Sequence, residues 1–285
     1  MNVQSSAQKK VESRTLSVML SHATPKPEAS GFVLVDAGGD LVADLPTDPD
    51  QIVSPDPIVF SYIAEMPEAA NEAISEDDRR AVWQELLDAL ADGTGRRVEF
   101  KHFGESDEQL AAFRRGELHI VALNSGAVQA AVEGGGFVPL CTLGKADGSY
   151  LHTMKIIVPA GSRVTSPADL RGHRLTFTRP ISNSGFKAAL ILLMDQYDML
   201  PERDYEARFS LGHDKSIQLV ATGETDAAPV ASDLLARAVA TGQVKEDAIR
   251  TIHESERFPP AAIGVPYNLA PELRGQIEQV FVHFD

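Results

Sequence analysis

The chain has 285 residues, 43% of them hydrophobic and 24% charged, with a net charge of −15. These values fit a globular chain of two lobes of roughly 100 to 150 residues each and exclude wholesale disorder. So negative a protein argues against a nucleic-acid or anionic-membrane partner, because phosphate backbones demand a basic surface; an anionic ligand would have to be held by local dipoles. Cys141 is the single cysteine, which excludes an intramolecular disulfide and a multi-thiolate metal site made by one chain. No run of about 18 apolar residues is present to span a membrane. The opening residues also lack the apolar stretch of about 7 to 15 residues that a secretory signal needs, so an exported form would have lost its signal or would start further upstream.

In chain order, residues 1–30 are polar and read as a flexible arm, and residues 31–57 as an acidic, turn-rich lead-in. Within it Asp36, Asp40, Asp44 and Asp48 resemble a degraded calcium loop, although the Asp-x-Asp-x-Asp core is missing; a solvated acidic loop is the other reading. "PIVFSYI" is a strand. "SEDDRRAVWQELLDALADGTG" is a helix with Ser75 as its cap, Val82, Leu86, Ala89 and Leu90 on one face, and Gly93 as its stop. The strand "VEFKHF", a short helix from Ser106 carrying Leu110 and Phe113, and the strand "LHIVAL" follow. "AVQAAV" is a helix, Gly134 to Gly136 a turn, and "FVPLC" a strand in which Cys141 is a small buried hydrophobe.

Next come the strand "MKIIVPAGS", a one- or two-turn helix "SPADLRG" with Ser166 as cap and Pro167 first, and the strand "HRLTFT". A helix through Met194, a strand near "ARFSL", a helix from Asp214, the strand "DAAPV", the helix "SDLLARAVA" and the strand "IRTIHES" complete the series. Repeated strand-helix order implies α/β lobes with mostly parallel sheets and ligands at the C-terminal strand ends.

Two similar stretches, "NSGAVQAA" from Asn124 and "NSGFKAA" from Asn183, each follow a strand and open a helix. Ser182, Asn183, Ser184 and Gly185 in a row offer hydroxyls, an amide and an approachable backbone at a positive dipole end, a suitable set for a small anion. Asn124 and Ser125 offer a second such start, although Asn, Ser and Gly are also ordinary turn residues. His213, after Gly212, stands where another strand gives way to a helix and can donate a hydrogen bond to an anion. No nucleophile motif, P-loop or dinucleotide fingerprint is present. A triad of Ser184, His213 and Asp226 is conceivable on composition alone.

"RLTFTRPISNSGFKAALILL", "GHDKSIQLVATGETDAAPVASDLL" and "ESERFPPAAIGVPYNLAPELRGQIEQVF" together resemble the phosphate, phosphite and phosphonate substrate-binding proteins of ABC transporters, from about Ile58 onward. The resemblance implies a two-lobed periplasmic-binding (Venus flytrap) fold. Lobe one would comprise residues 58–157 and 257–285 and lobe two residues 158–256, with crossings near Ile156 to Pro159 and His253 to Phe258. It implies a non-enzymatic, periplasmic, monomeric protein without a cofactor that binds a small oxyanion in the interlobe cleft and serves a membrane permease. Ser182, Asn183, Ser184 and Gly185 would grip the anion, with Asn183 in place of the usual Thr, aided by His213, Asn124 and Ser125. Tyr62, Tyr150, His152 and Asp233 are further candidates. Ala261 and Ala262 stand where members that bind aminoalkylphosphonates carry a carboxylate, so a bare oxyanion or simple alkylphosphonate is expected. The family's Tyr near "GESDEQL" is absent. The chain stops in "VFVHFD", inside an expected C-terminal helix, which reads as a truncation or an excerpt. Some relatives of the fold sense arsenite through thiolate, for which Cys141 offers one sulfur; a hydrolase using His213 is the remaining alternative.

Overall fold

The computed structural model describes residues 34–63, 75–144 and 148–284, so the expected flexible arm of residues 1–30 lies outside it. The described chain divides into two compact units, one formed by Leu151–Phe258 and the other by the segments on either side of it, up to Tyr150 and from Pro259 onward.

The split unit is a five-stranded sheet with helices. Its strands are β1 (Ile58–Tyr62), β2 (Val98–Phe100), β3 (Ile120–Asn124), β4 (Phe137–Cys141) and β10 (Ala261–Pro266), in the order β2-β1-β3-β10-β4. Helix α1 (Glu76–Thr94) joins β1 to β2, α2 (Ser106–Arg114) joins β2 to β3, α3 (Ser125–Gly135) joins β3 to β4, and α7 (Pro271–His283) follows β10. Helix α1 begins as the sequence suggests, because the Ser75 side chain accepts from the Asp78 amide. It ends two residues later than expected, at Gly95, whose left-handed φ of 66° is cheap only for glycine. Gly93 serves another purpose: a Cβ there would lie 2.3 Å from Val280 Cγ2 of α7, so the glycine permits close helix approach. The buried face of α1 is Leu86, Leu87 and Leu90, whereas Val82 is 78% exposed and lies outside it. These leucines join Ile58, Phe60, Ile120, Val138, Ile263 and Val265 in one core.

The inserted unit contains β5 (Met154–Pro159), β6 (Arg174–Phe177), β7 (Glu206–Phe209), β8 (Ala228–Ala231) and β9 (Ile249–Glu254), with α4 (Ala188–Tyr197), α5 (His213–Ala221) and α6 (Ser232–Ala240). The one-turn 3-10 helix Pro167–Leu170 has the expected Ser166 cap, completed by Asp169 as a capping box. Strand β5 is apolar on both faces. Ile156 belongs to a core with Phe177, Phe186 and Leu193, and Ile157 to a second core with Ile217, Val220 and Val230. Helices therefore cover both sides of the sheet.

Strand directions are more mixed than the mostly parallel sheets expected. Strands β1, β2 and β3 run parallel, as do β6 and β7, but β10 is antiparallel to β3 and β4, and β5 is antiparallel to β8 and β9. The physical reason is connectivity. Helical crossovers give parallel neighbours, whereas β5 and β9 bring the chain into and out of the same unit and so run oppositely. Both strands lie wholly in the inserted unit, and the crossings fall at residues 150/151, before the expected stretch Ile156–Pro159, and 258/259, at the end of the expected stretch His253–Phe258.

Candidate functional site

In the inserted unit, β6 pairs in parallel with β7, and its Leu175 is bridged in parallel to Ala227, just before β8. The three strands therefore deliver their C-terminal ends to one side. There the chain opens three helices in turn, at Ser182, at Gly212 and at Ala231.

The first start is unusual. Residues Asn183–Lys187 form a π-helical turn leading into α4, in which the Lys187 amide donates to the Ser182 carbonyl at 3.0 Å. The first intrahelical bond thus comes from Lys187, and the amides of Asn183, Ser184 and Phe186 have no acceptor inside the helix. The Gly185 amide donates to Ser182 Oγ at 3.1 Å. The turn is anchored from below by Phe186, fully buried with its ring edge-on to Phe177 at 5.0 Å and against Phe209 at 5.3 Å. Burial of such a ring contributes about 1.5–3 kcal/mol. Ser182 and Ser184 are buried and Asn183 is half-buried.

His213 reaches the same place from α5. The Ala231 amide donates to its Nδ1 at 3.1 Å, so in the neutral ring the proton is on Nε2, which lies 3.4 Å from Ser182 Oγ. The structure thus joins Ser182, Gly185 and His213 in one hydrogen-bonded cluster, with Asn183 and Ser184 on the same turn. Asp233 enters from the first turn of α6, its Oδ1 buried and without a hydrogen-bond partner among the described residues. His152 stands two residues before Met154, which pairs with Ala231, and its ring is edge-on to Phe258 at 4.6 Å. The conceivable triad is not formed. Nδ1 of His213 accepts from a backbone amide, and Asp226 binds the Arg174 amide at 2.8 Å, at the first residue of β6 rather than beyond its last.

Asn124 and Ser125 belong to the split unit, where parallel β1 and β3 end side by side at Tyr62 and Asn124. Part of their hydrogen-bonding capacity is already used: Asn124 Oδ1 accepts from the Ala127 amide at 3.1 Å, and the Ser125 amide donates to the Pro260 carbonyl at 3.1 Å. Asn124 is therefore an N-cap through its oxygen, and its Nδ2 amide and the Ser125 hydroxyl are the donors not engaged in capping. Tyr62 is half-buried against the core, its ring tilted by 60° to that of Trp83 at 4.7 Å, and Tyr150 is exposed. Cys141 is half-buried at the end of β4, and burial pushes its thiol above the ordinary value.

The acidic lead-in does not assemble a cation cage. Asp36 accepts from the amides of Gly39, Asp40 and Leu41, Asp40 from Val42, Asp44 from Ala37, and Asp48 from Asp50. These carboxylates hold their own turns, and no group of three or more metal-ligating side chains comes together among the described residues.

Sequence reasoning missed Thr178. It is buried, its Oγ1 has no partner among the described residues, and a Cβ on Gly185 would lie 1.8 Å from that oxygen. Its amide donates to the Gly185 carbonyl at 3.0 Å. A threonine ending a strand carries no sequence signal; the flag was the glycine it forces eight positions after the strand's end.

This architecture, an α/β unit inserted into another with helix starts gathered at the strand ends, is that of the two-lobed periplasmic binding proteins. More narrowly, residues 71–285 match the family described as ABC transporter, phosphonate, periplasmic substrate-binding protein, and the chain belongs to that family. It is similar in fold to a binding protein component of an ABC phosphonate transporter from Pseudomonas aeruginosa, with 18% identity over 78% of this chain and 72% of that one and a TM-score of 0.61. A Prochlorococcus marinus protein in complex with methylphosphonate gives 15% identity, 80% and 84% coverage and a TM-score of 0.63. A Xanthomonas citri protein bound to ATP gives 19%, 78% and 81%, and 0.65. The family is periplasmic, binds a small ligand and works with an ABC permease. Among the described residues no helix is long and apolar enough to cross a membrane.

Proposed function

We propose that this chain is the substrate-binding component of an ABC importer and captures a small phosphorus oxyanion, a phosphonate, phosphite or phosphate, without transforming it. The observation that carries this reading is the cluster of Ser182, Gly185 and His213, in which the Ala231 amide makes Nε2 of His213 a hydrogen-bond donor. A tetrahedral oxyanion taken out of water needs several short N–H and O–H donors, and these helix starts supply them despite a net charge of −15. The proposed donors are Ser182, Asn183, Ser184, Gly185 and His213, with Asn124 and Ser125 as further proposed ligand-binding residues; Asp233, His152, Tyr62 and Tyr150 are secondary. The raised thiol of the half-buried Cys141 weighs against an arsenite sensor, which needs thiolate.

The test is calorimetric titration with phosphate, phosphite, methylphosphonate and sulfate, for the parent and for Ser184→Ala and His213→Asn. Asparagine offers an oxygen where Nδ1 stands, so the Ala231 amide keeps an acceptor while the Nε2 donor is lost. Each variant should weaken binding tenfold or more, as loss of a hydrogen bond to a charged group implies. Unchanged affinity in both would remove these residues from the site, and release of inorganic phosphate from phosphonates would make the protein an enzyme instead.

A further inference from the structure

Ser182 and His213 arrive on different loops, one leaving β6 and the other leaving β7, and Ser182 Oγ stands 3.4 Å from His213 Nε2, at the long end of a hydrogen bond. The two loops set out together. Past the last rung between β6 and β7, Phe177 with Phe209, the Ser210 amide donates to the Phe177 carbonyl at 2.9 Å and the Leu211 amide to the Thr178 carbonyl at 3.0 Å. Then they part: the Ser182 amide closes a turn on the Arg179 carbonyl at 3.0 Å, while Gly212 opens α5. At that fork the Arg179 side chain crosses from one loop to the other, its Nε donating to the Leu211 carbonyl at 2.7 Å. Leu211 has a left-handed φ of 67°, a conformation that a branched residue leaves unless its neighbours hold it, and leaving it would swing the residues that follow, Gly212 and His213.

We propose that Arg179 is a positioning residue of this site: its guanidinium ties the loop that carries His213 to the loop that carries Ser182, and so holds the two donors at one spacing before a ligand arrives. The inference rests on the oxyanion-binding reading above and adds what sets the geometry of the donors. A ligand gripped by groups already in place loses less in ordering them, and the tie therefore shows as slower release. Arginine suits the task because its Nε–H is fixed in the plane of the guanidinium, whereas the ammonium of lysine is a point charge on a flexible stem. A guanidinium acting only as a positive charge near an anion would be replaceable by lysine and screened by salt; a tie is neither.

The experiment measures the affinity and dissociation rate of phosphate and methylphosphonate, at low and at high salt, for the parent, Arg179→Met, Arg179→Lys, His213→Asn and the double variant Arg179→Met with His213→Asn. Arg179 is only half-buried, so the unliganded Arg179 variants should melt within a few degrees of the parent. Arg179→Met keeps the stem but neither the donor nor the charge, and should release the anion roughly three- to tenfold faster at both salt concentrations, the worth of one typical hydrogen bond. Arg179→Lys should behave like Arg179→Met. Replacing His213 should then cost less affinity in Arg179→Met than in the parent, because a ring no longer held in place contributes less. Equal costs in the two backgrounds, parent-like release from Arg179→Lys, or an effect confined to low salt would overturn this inference and leave the oxyanion reading standing. If the parent binds neither anion, both are overturned.

Discussion

Gly185→Ala tests the construction of the donor cluster most directly. The added methyl would lie 1.8 Å from Thr178 Oγ1, 2.6 Å from its Cγ2 and 2.7 Å from its Cβ, against the 3.5–4.0 Å at which such atoms rest. Thr178 is buried and joined to Gly185 through its own amide, so neither side can retreat more than 1 Å without losing that bond. Overpacking of this kind costs about 1–3 kcal/mol and the lost hydrogen bond about 1. Together they amount to about 2–4 kcal/mol, or a fall in Tm of roughly 5–15 °C for a chain of this size. Calorimetric melting of Gly185→Ala, Thr178→Ala and the double variant reads the coupling. Removing Oγ1 and Cγ2 should return part of the loss, so the double variant should be more stable than the two single changes add up to. Melting of Gly185→Ala within a degree of the parent, or strict additivity, would show that the turn has room and that the contact with Thr178 does not fix it.

Two further outcomes follow from the split unit. In Gly264→Ala the methyl would meet the Val138 carbonyl oxygen at 2.2 Å and Phe137 Cζ at 2.6 Å; because the first is backbone of the adjacent strand, urea denaturation should show a loss of about 3 kcal/mol or more, and parent-like stability would contradict the pairing of β10 with β4. His119 is held below the 6.5 of an open imidazole chiefly by burial, against the raising effect of its backbone bond to Gly116, while its Nδ1 accepts from the Val59 amide at 3.0 Å. A base lowered on folding binds its proton more readily when unfolded, so its contribution is complete above pH 6.5 and declines as the pH falls through the folded value. His119→Asn, which keeps an acceptor, should flatten the decline in Tm below pH 6.5; an identical slope would assign the acid sensitivity to other groups.

Much of this was legible from residues whose signals are local. Ser75 caps α1 and Ser166 with Asp169 boxes its 3-10 turn because capping depends on neighbours in sequence. The Ser182 to Gly185 turn and His213 were visible as strand-to-helix handovers. What escaped depends on distant chain. Val82 fits the helical stripe of α1, but the sheet meets that helix along Leu86, Leu87 and Leu90. Gly93 looked like a stop because sequence does not show α7 arriving beside it. Strand β10 pairs between β3 and β4 although it follows β4 by a whole unit, and nothing within "AAIGVP" fixes its direction. The π-turn was equally hidden, since Asn183 to Lys187 would serve an α-helical start as well. Nor does sequence reveal that Asn124 Oδ1 and the Ser125 amide are spent on capping and on Pro260, or that a backbone amide chooses the tautomer of His213.

The ends of the inserted unit carry a consequence for the order of events in folding. His152 and Phe258 exchange two backbone hydrogen bonds, of 3.1 and 2.9 Å, so the stretch between them closes on itself like a clasp. Strand β10 emerges just beyond the clasp and must slot into the centre of a sheet whose other four strands were all made before the insertion. While the insertion is unfolded, bringing β10 home means closing a loose loop of about 100 residues, at an entropic cost of about 4 kcal/mol. Once the clasp is shut that loop is a single step wide. Folding of the inserted unit thus removes most of the entropic cost of seating β10 between β3 and β4.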